Sequence, residues 1–191
     1  MKVHYVFSHP SRDSFNGALL QRALTVFDQP SMTLTDLYGT HFNPVASIAE
    51  TETIHSEEVH TEISSLQQAD VVILQFPLWW FSTPAILKGW MDRVFVFGVT
   101  YDKERRFKTG GFAGKKAMLV TTTQATAESY QENGLNGPMD TLLFPIHHSL
   151  RFVGFETLPP FVAYDVARNN KKQNEKLLNQ YAMLLREIKN A

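Results

Sequence analysis

Ala69-Asp70-Val71-Val72-Ile73-Leu74-Gln75-Phe76 runs into Pro77-Leu78-Trp79-Trp80-Phe81-Ser82-Thr83-Pro84 and then into Ala85-Ile86-Leu87-Lys88-Gly89-Trp90-Met91-Asp92-Arg93. The first block is short, β-branched and apolar without alternation, the pattern of a parallel strand covered on both faces. In the last, Ile86, Leu87, Trp90 and Met91, continued by Val94 and Phe95, recur at helical spacing and leave Lys88, Asp92 and Arg93 on the other side. Thr83 is suited to N-cap that helix, with Pro84 at the first position, where a missing N–H costs nothing. Trp79, Trp80, Phe81 and Ser82 therefore lie in a loop. Open α/β sheets bind ligands at such strand-to-helix junctions, and three successive aromatics either fill a pocket of their own or offer a stacking floor to a planar ligand. The adjacent Trp79 and Trp80 are expected to face different ways, so that at least one is scaffold.

Outward from this stretch the pattern alternates. Val3 to Ser8 reads as a strand, and Phe15 to Phe27 as a helix with Leu19, Leu20, Ala23, Leu24 and Phe27 inward. Met32 to Asp36 is a second strand, a loop with Pro44 leads to a helix from about Glu52 to Gln67, and a fourth strand follows near Ala117 to Thr121. After an irregular stretch to Gly137 come a helix over Met139 to Phe152, a fifth strand near Glu156 to Val162, and a closing helix from about Arg168. On that helix Leu177, Leu178, Tyr181, Leu184, Leu185 and Ile188 form one apolar face. Strands alternating with helices argue for an α/β, doubly wound parallel sheet. No repeat, low-complexity tract or compositional break divides the 191 residues, so a single domain over residues 1–191 is expected.

The chain has 18 basic and 19 acidic residues, a formal charge of −1, which gives no electrostatic reason to expect nucleic acid or an anionic membrane as partner. Without cysteine there is no disulfide framework, thiol redox centre or cysteine zinc site, so redox chemistry must come from a bound cofactor. Met1 to Phe7 runs straight into a strand without the marks of a signal peptide, and no segment approaches the roughly 20 apolar residues that span a bilayer, so a cytosolic protein is expected. No metal is expected: His55 and His60 are five apart, not a same-face helical pair, and the adjacent His147 and His148 diverge.

His9 to Ser14 joins the first strand to the first helix, so backbone N–H groups near Phe15, Asn16 and Gly17 would face an anion bound there. Taken alone, the loop reads as an ordinary βα connection. The Pro77–Arg93 segment, however, resembles the signature of the NAD(P)H:quinone oxidoreductases, or DT-diaphorases, which are flavodoxin-like flavoenzymes. His9-Pro10 and Ser14 to Leu20 are similar to that family's first flavin loop, and Thr121-Thr122-Thr123 through Tyr130 to its third. Gly134-Leu135-Asn136-Gly137 and Phe152-Val153-Gly154-Phe155 fall in matching order, so the likeness covers essentially the whole chain.

The resemblance implies a strand order 2-1-3-4-5 and the following residue roles. His9 contacts the flavin phosphate with Phe15 and Asn16 beside it. Pro77, Leu78, Trp80 and Phe81 form the isoalloxazine loop, with the Trp80 ring walling the nicotinamide or quinone site. Thr122, Thr123, Gln124 and Tyr130 form the third flavin segment, and Tyr130 and Asn136 stand as the catalytic pair. Tyr101 and Phe152 come from a neighbouring subunit to complete the substrate pocket of a homodimer, an assembly also suggested by the broad apolar face of the Trp90 helix. The implied chemistry is ping-pong: NAD(P)H passes a hydride to flavin N5, and a quinone-like acceptor then takes both electrons. FAD is the implied cofactor and FMN the alternative, since the chain stops at Ala191.

Two departures stand out. Gln124 and Ala125 occupy positions where many relatives have glycines, adding bulk where ligand and backbone approach. Asn136 stands where the animal enzyme has a histidine, and an amide takes up no proton near neutral pH. Two rival readings are an ancillary flavoprotein that binds a membrane transport protein and a flavodoxin-type electron carrier; a charge of −1 speaks against the second.

Overall fold

The computed structural model describes residues 1–47 and 56–191. Five parallel strand positions run in the order β2 (Met32–Asp36), β1 (Val3–Phe7), β3 (Val71–Pro77), β4 (Lys116–Thr122) and β5 (Glu156–Thr157), with β6 (Phe161–Ala163) pairing β4 further along. From β1 to β5 consecutive strands are joined by helices, as parallel pairing requires: among the described residues α1 (Phe15–Val26), α2 (Glu57–Gln68), α3 (Ala85–Val94) and α4 (Met139–Phe152), with α5 (Lys171–Asn190) closing the chain after β6. This is a flavodoxin-like doubly wound sheet.

Every residue of β1 and β3 is buried, because alternate side chains enter different cores. Tyr5, Phe7, Val71, Ile73, Met118 and Val120 pack with Leu19, Leu20 and Ala23 of α1 and Leu178, Tyr181 and Leu185 of α5. Val6, Val72, Leu74, Phe76 and Leu119 point the other way, onto α2, α3 and α4. Burying a large apolar side chain contributes roughly 1.5–3 kcal/mol, so continuous apolar strands stabilise the sheet from both sides.

Four expectations change in detail. The predicted fifth strand is two short ones, because Pro159 and Pro160 interrupt the ladder after Leu158 N–H donates to Ala117 O. Thr83 does not cap α3: Pro84 is the cap, its carbonyl accepts from Leu87 and Lys88, and the helix starts at Ala85. The last helix begins at Lys171 behind an Asn170–Gln173 capping box, and Leu24 is exposed rather than inward. The predicted helix start at Glu52, and His55, lie outside the described residues. Among those described, no helix is long and apolar enough to cross a membrane.

Candidate functional site

The carboxyl ends of β1, β3 and β4 open onto a cleft of about 490 Å³, within the usual size range of small-molecule sites. His9, Phe15, Asn16, Pro77, Leu78, Trp80, Phe81, Thr122, Thr123, Gln124, Tyr130 and Asn136 all line it, together with Ser14, Trp79, Ala125 and Val166.

One wall is the loop before α1. Ser14 caps the helix, its Oγ accepting from Gly17 N–H at 3.1 Å, and the His9 ring is fastened through Nδ1 to Ser11 and Ser14. The loop folds back so tightly that a Cβ on Gly17 would lie 1.8 Å from Arg12 O. The N–H groups of Phe15 and Asn16, in the first turn of a 12-residue helix, have no acceptor within the described chain, as expected for a helix start.

The opposite wall is a tight turn. Trp79 and Ser82 exchange two backbone hydrogen bonds of 3.0 Å, and the corner residues Trp80 and Phe81 have φ of +50° and +64°. Two consecutive positive φ values define the turn that normally takes Asn-Gly, and a non-glycine residue there carries roughly 1–3 kcal/mol of strain. The turn reverses the chain so that Trp79, Trp80 and Phe81 all stay exposed at the cleft, Trp80 by 94%. This corrects the expectation that one tryptophan is scaffold; the fully buried tryptophan is Trp90, whose Nε1–H donates to Glu62. The N–H groups of Trp80 and Phe81 have no acceptor in the described chain.

The third wall follows β4. Leu78 N–H donates to Thr122 O and Thr123 N–H to Ala163 O, fixing this strand end against its neighbours. The Gln124-Ala125 bend beyond β4 is braced by Arg168, which donates through Nη2 to Gln124 O at 3.1 Å while its Nε bonds Asp165 at 2.7 Å. Sequence reasoning missed Arg168 and Val166; the Asp165-to-Arg168 spacing just past the last strand was the available signal. Tyr130 closes a 3₁₀ turn over Ala127–Tyr130, and Asn136 N–H donates back to Ser129 O at 2.9 Å, which holds both polar side chains on one rim.

Tyr101 and Phe152 do not line this cleft. Their rings meet edge to face at 5.2 Å, flanked by Phe97 and Phe107, in an aromatic patch of which Phe97, Phe107 and Phe144 are exposed. The broad apolar face of the Trp90 helix is no free surface either: Leu87, Trp90, Met91 and Val94 are buried in the chain's own core.

Residues 1–185 match the family described as having a flavodoxin-like fold. A mouse ribosyldihydronicotinamide dehydrogenase [quinone] is 35% identical over 98% of this chain and 91% of its own length. The chain belongs to the flavodoxin-like NAD(P)H:quinone oxidoreductase family. The rat NAD(P)H dehydrogenase [quinone] 1 is also 35% identical, over 84% of this chain and 68% of its own. A candidate quinone reductase of Klebsiella pneumoniae superposes with a TM-score of 0.90 at 35% identity, covering 97% of this chain and 83% of that one.

Proposed function

We propose that the cleft holds a flavin, FAD with FMN as the alternative, and that the protein reduces quinone-like acceptors with NAD(P)H. The observation that carries this reading is a set of free main-chain donors in the cleft. The N–H groups of Phe15, Asn16, Trp80 and Phe81 have no acceptor among the described residues, and they stand beside exposed aromatic rings. A flat ligand with acceptor edges and a phosphate answers that set.

A bound flavin supplies the two-electron chemistry, accepting hydride from NAD(P)H and delivering it to the acceptor. His9 and the α1 N–H groups hold the phosphate, where the helix dipole adds to their attraction. Pro77, Leu78, Thr122, Thr123 and Gln124 support the ring system, and the Trp80–Phe81 turn aims its N–H groups without any reorganisation at the moment of reaction. Trp80 forms the floor on which nucleotide and acceptor alternate. Tyr130 and Asn136 donate to the charge that develops, and because Asn136 cannot take up a proton, proton delivery involves Tyr130 and solvent rather than a Tyr–His pair. A homodimer in which the Tyr101–Phe152 patch meets the other copy's cleft completes the substrate pocket.

The test is an anaerobic stopped-flow mix of flavin-loaded protein with NADPH and then NADH, followed by menadione. Fast bleaching of the flavin band and fast recovery are expected; no bleaching with either nucleotide would refute the reading.

A further inference from the structure

A chain of buried side-chain hydrogen bonds crosses the molecule from the last helix to the cleft. Tyr181 of α5 meets Tyr5 of β1, hydroxyl to hydroxyl, at 2.9 Å, and Tyr5 donates to Gln75 Oε1 on β3 at 2.5 Å. Gln75 Nε2 donates to the main-chain O of Asn16 at 2.7 Å and to its Oδ1 at 3.1 Å, and Asn16 Nδ2 donates to Thr122 Oγ1 at 2.9 Å. All five residues are buried. Of the five, only Asn16 and Thr122 line the cleft.

The direction of this chain is set by one atom that cannot be turned round. A main-chain carbonyl only accepts, so the end of Gln75 facing Asn16 O must be its amide nitrogen. Its oxygen then faces Tyr5, which must donate, and Tyr181 in turn donates to Tyr5. Burial pushes both phenols well up from their ordinary values, which keeps them protonated donors. On the other side, the second N–H of Gln75 demands an acceptor, which fixes Asn16 with Oδ1 toward Gln75 and Nδ2 toward Thr122. Thr122 Oγ1 therefore accepts from inside the protein, and its own hydrogen has no acceptor among the described residues.

We propose that Gln75 is a positioning residue for the bound flavin: through Asn16 it obliges the Thr122 hydroxyl to donate into the cleft, onto an acceptor atom of the ring system. This rests on the flavin reading above and adds to it a residue outside the cleft. A hydroxyl by itself turns freely between donor and acceptor, and an asparagine amide can present either end; Gln75 removes both freedoms. A donor held in this way bonds more strongly to an electron-rich ring than to a neutral one, so it favours the reduced form of the cofactor.

The test uses the full chain loaded with FAD, its dissociation constant read by flavin fluorescence and its midpoint potential by spectroelectrochemistry. Thr122→Val is expected to weaken the reduced form about tenfold more than the oxidised one, in line with a hydrogen bond to a charged group. For a two-electron couple that is a fall of about 30 mV. Gln75→Met, which keeps length and bulk, should reproduce most of that fall, and the double variant should lie no lower than Thr122→Val alone. Tyr5→Phe should leave the potential close to wild type, because the Asn16 carbonyl still orients Gln75. Additive shifts in the double variant, or a fall in Thr122→Val with none in Gln75→Met, would overturn the proposal and leave the flavin reading intact. A wild-type chain that takes up neither FAD nor FMN overturns both. Should Gln75→Met fail to fold, Asn16→Ala cuts the same chain one link nearer the cleft and must give the same fall.

Discussion

Trp80 shows how a single residue can be costly to the fold and useful to the site. Its ring buries almost nothing, with 94% exposure, and its backbone sits at φ +50°. Two Trp79–Ser82 backbone hydrogen bonds hold the turn, but the Trp80 ring itself returns almost no burial for that strain, which is the pattern of a residue kept for a ligand. Trp80→Asn should therefore raise the stability of the ligand-free protein by several tenths to about 1 kcal/mol in urea melts, since asparagine tolerates the left-handed region. The same variant should weaken flavin or substrate binding, because a stacked aromatic contributes roughly 0.5–1.5 kcal/mol beyond its buried area. Tyr130→Phe removes one hydroxyl from the rim and should slow flavin reduction by NAD(P)H in stopped flow while leaving the far-ultraviolet spectrum unchanged; an unaltered rate would remove Tyr130 from the chemistry. The residues gathered at the cleft were named through the family resemblance of three segments that each follow a strand; residue pattern alone pointed only to the aromatic loop at Trp79–Phe81. What stayed hidden was conformation and support: a positive φ at a tryptophan runs against the residue's own preference, and the Arg168 brace behind Gln124 depends on a contact between distant segments.

At the scale of elements, β1, β2, α2 and α3 are joined by a polar knot inside an apolar core. Glu62 of α2 accepts from Thr35 and from Trp90 Nε1, both at 2.8 Å, and lies 3.5 Å from His4 Nε2, while His4 Nδ1 bonds Thr33. Burial alone would raise the Glu62 carboxyl, but the His4, Thr35 and Trp90 partners outweigh it and hold the group below its ordinary value. A carboxyl whose folded pKa is depressed binds protons more readily in the unfolded chain. Its contribution is complete above the unfolded value of about 4.3 and is lost as pH falls through the folded value. Urea midpoints of the wild type should accordingly drop below about pH 4. Glu62→Gln should lower stability near pH 7 by about 1–3 kcal/mol through the unsatisfied donors it leaves, and should flatten the acid limb. The alternation of strand and helix made most elements readable, and α4 shows the expected bounds of Met139 and Phe152. The knot was not readable, because His4 and Glu62 look like surface residues until the sheet and α2 close over them. The break between β5 and β6 could have been inferred from Pro159-Pro160, since neither residue can donate to a ladder.

At the scale of the whole molecule, the exposed aromatic patch and the cleft make separable demands. If the patch joins two copies, Phe107→Glu should convert a dimer to monomers in sedimentation equilibrium and lower turnover by restricting acceptor binding, yet leave flavin affinity nearly intact, because Phe107 is not part of the cleft. Flavin loading should instead act on stability. The walls of the cleft come from the ends of β1, β3 and β4 and from the loops behind them, so the site exists only when the sheet is assembled, and a ligand that binds it binds the folded chain alone. At a free concentration one hundred times its dissociation constant, such a ligand stabilises the fold by about 2.7 kcal/mol. In a chain of this size each kcal/mol moves the midpoint by about 2–4 °C, so saturating FAD should raise the thermal midpoint by roughly 5–11 °C. The increment should keep growing with the logarithm of FAD concentration. A midpoint insensitive to both FAD and FMN would mean that the donors lining the cleft are satisfied by solvent rather than by a flavin.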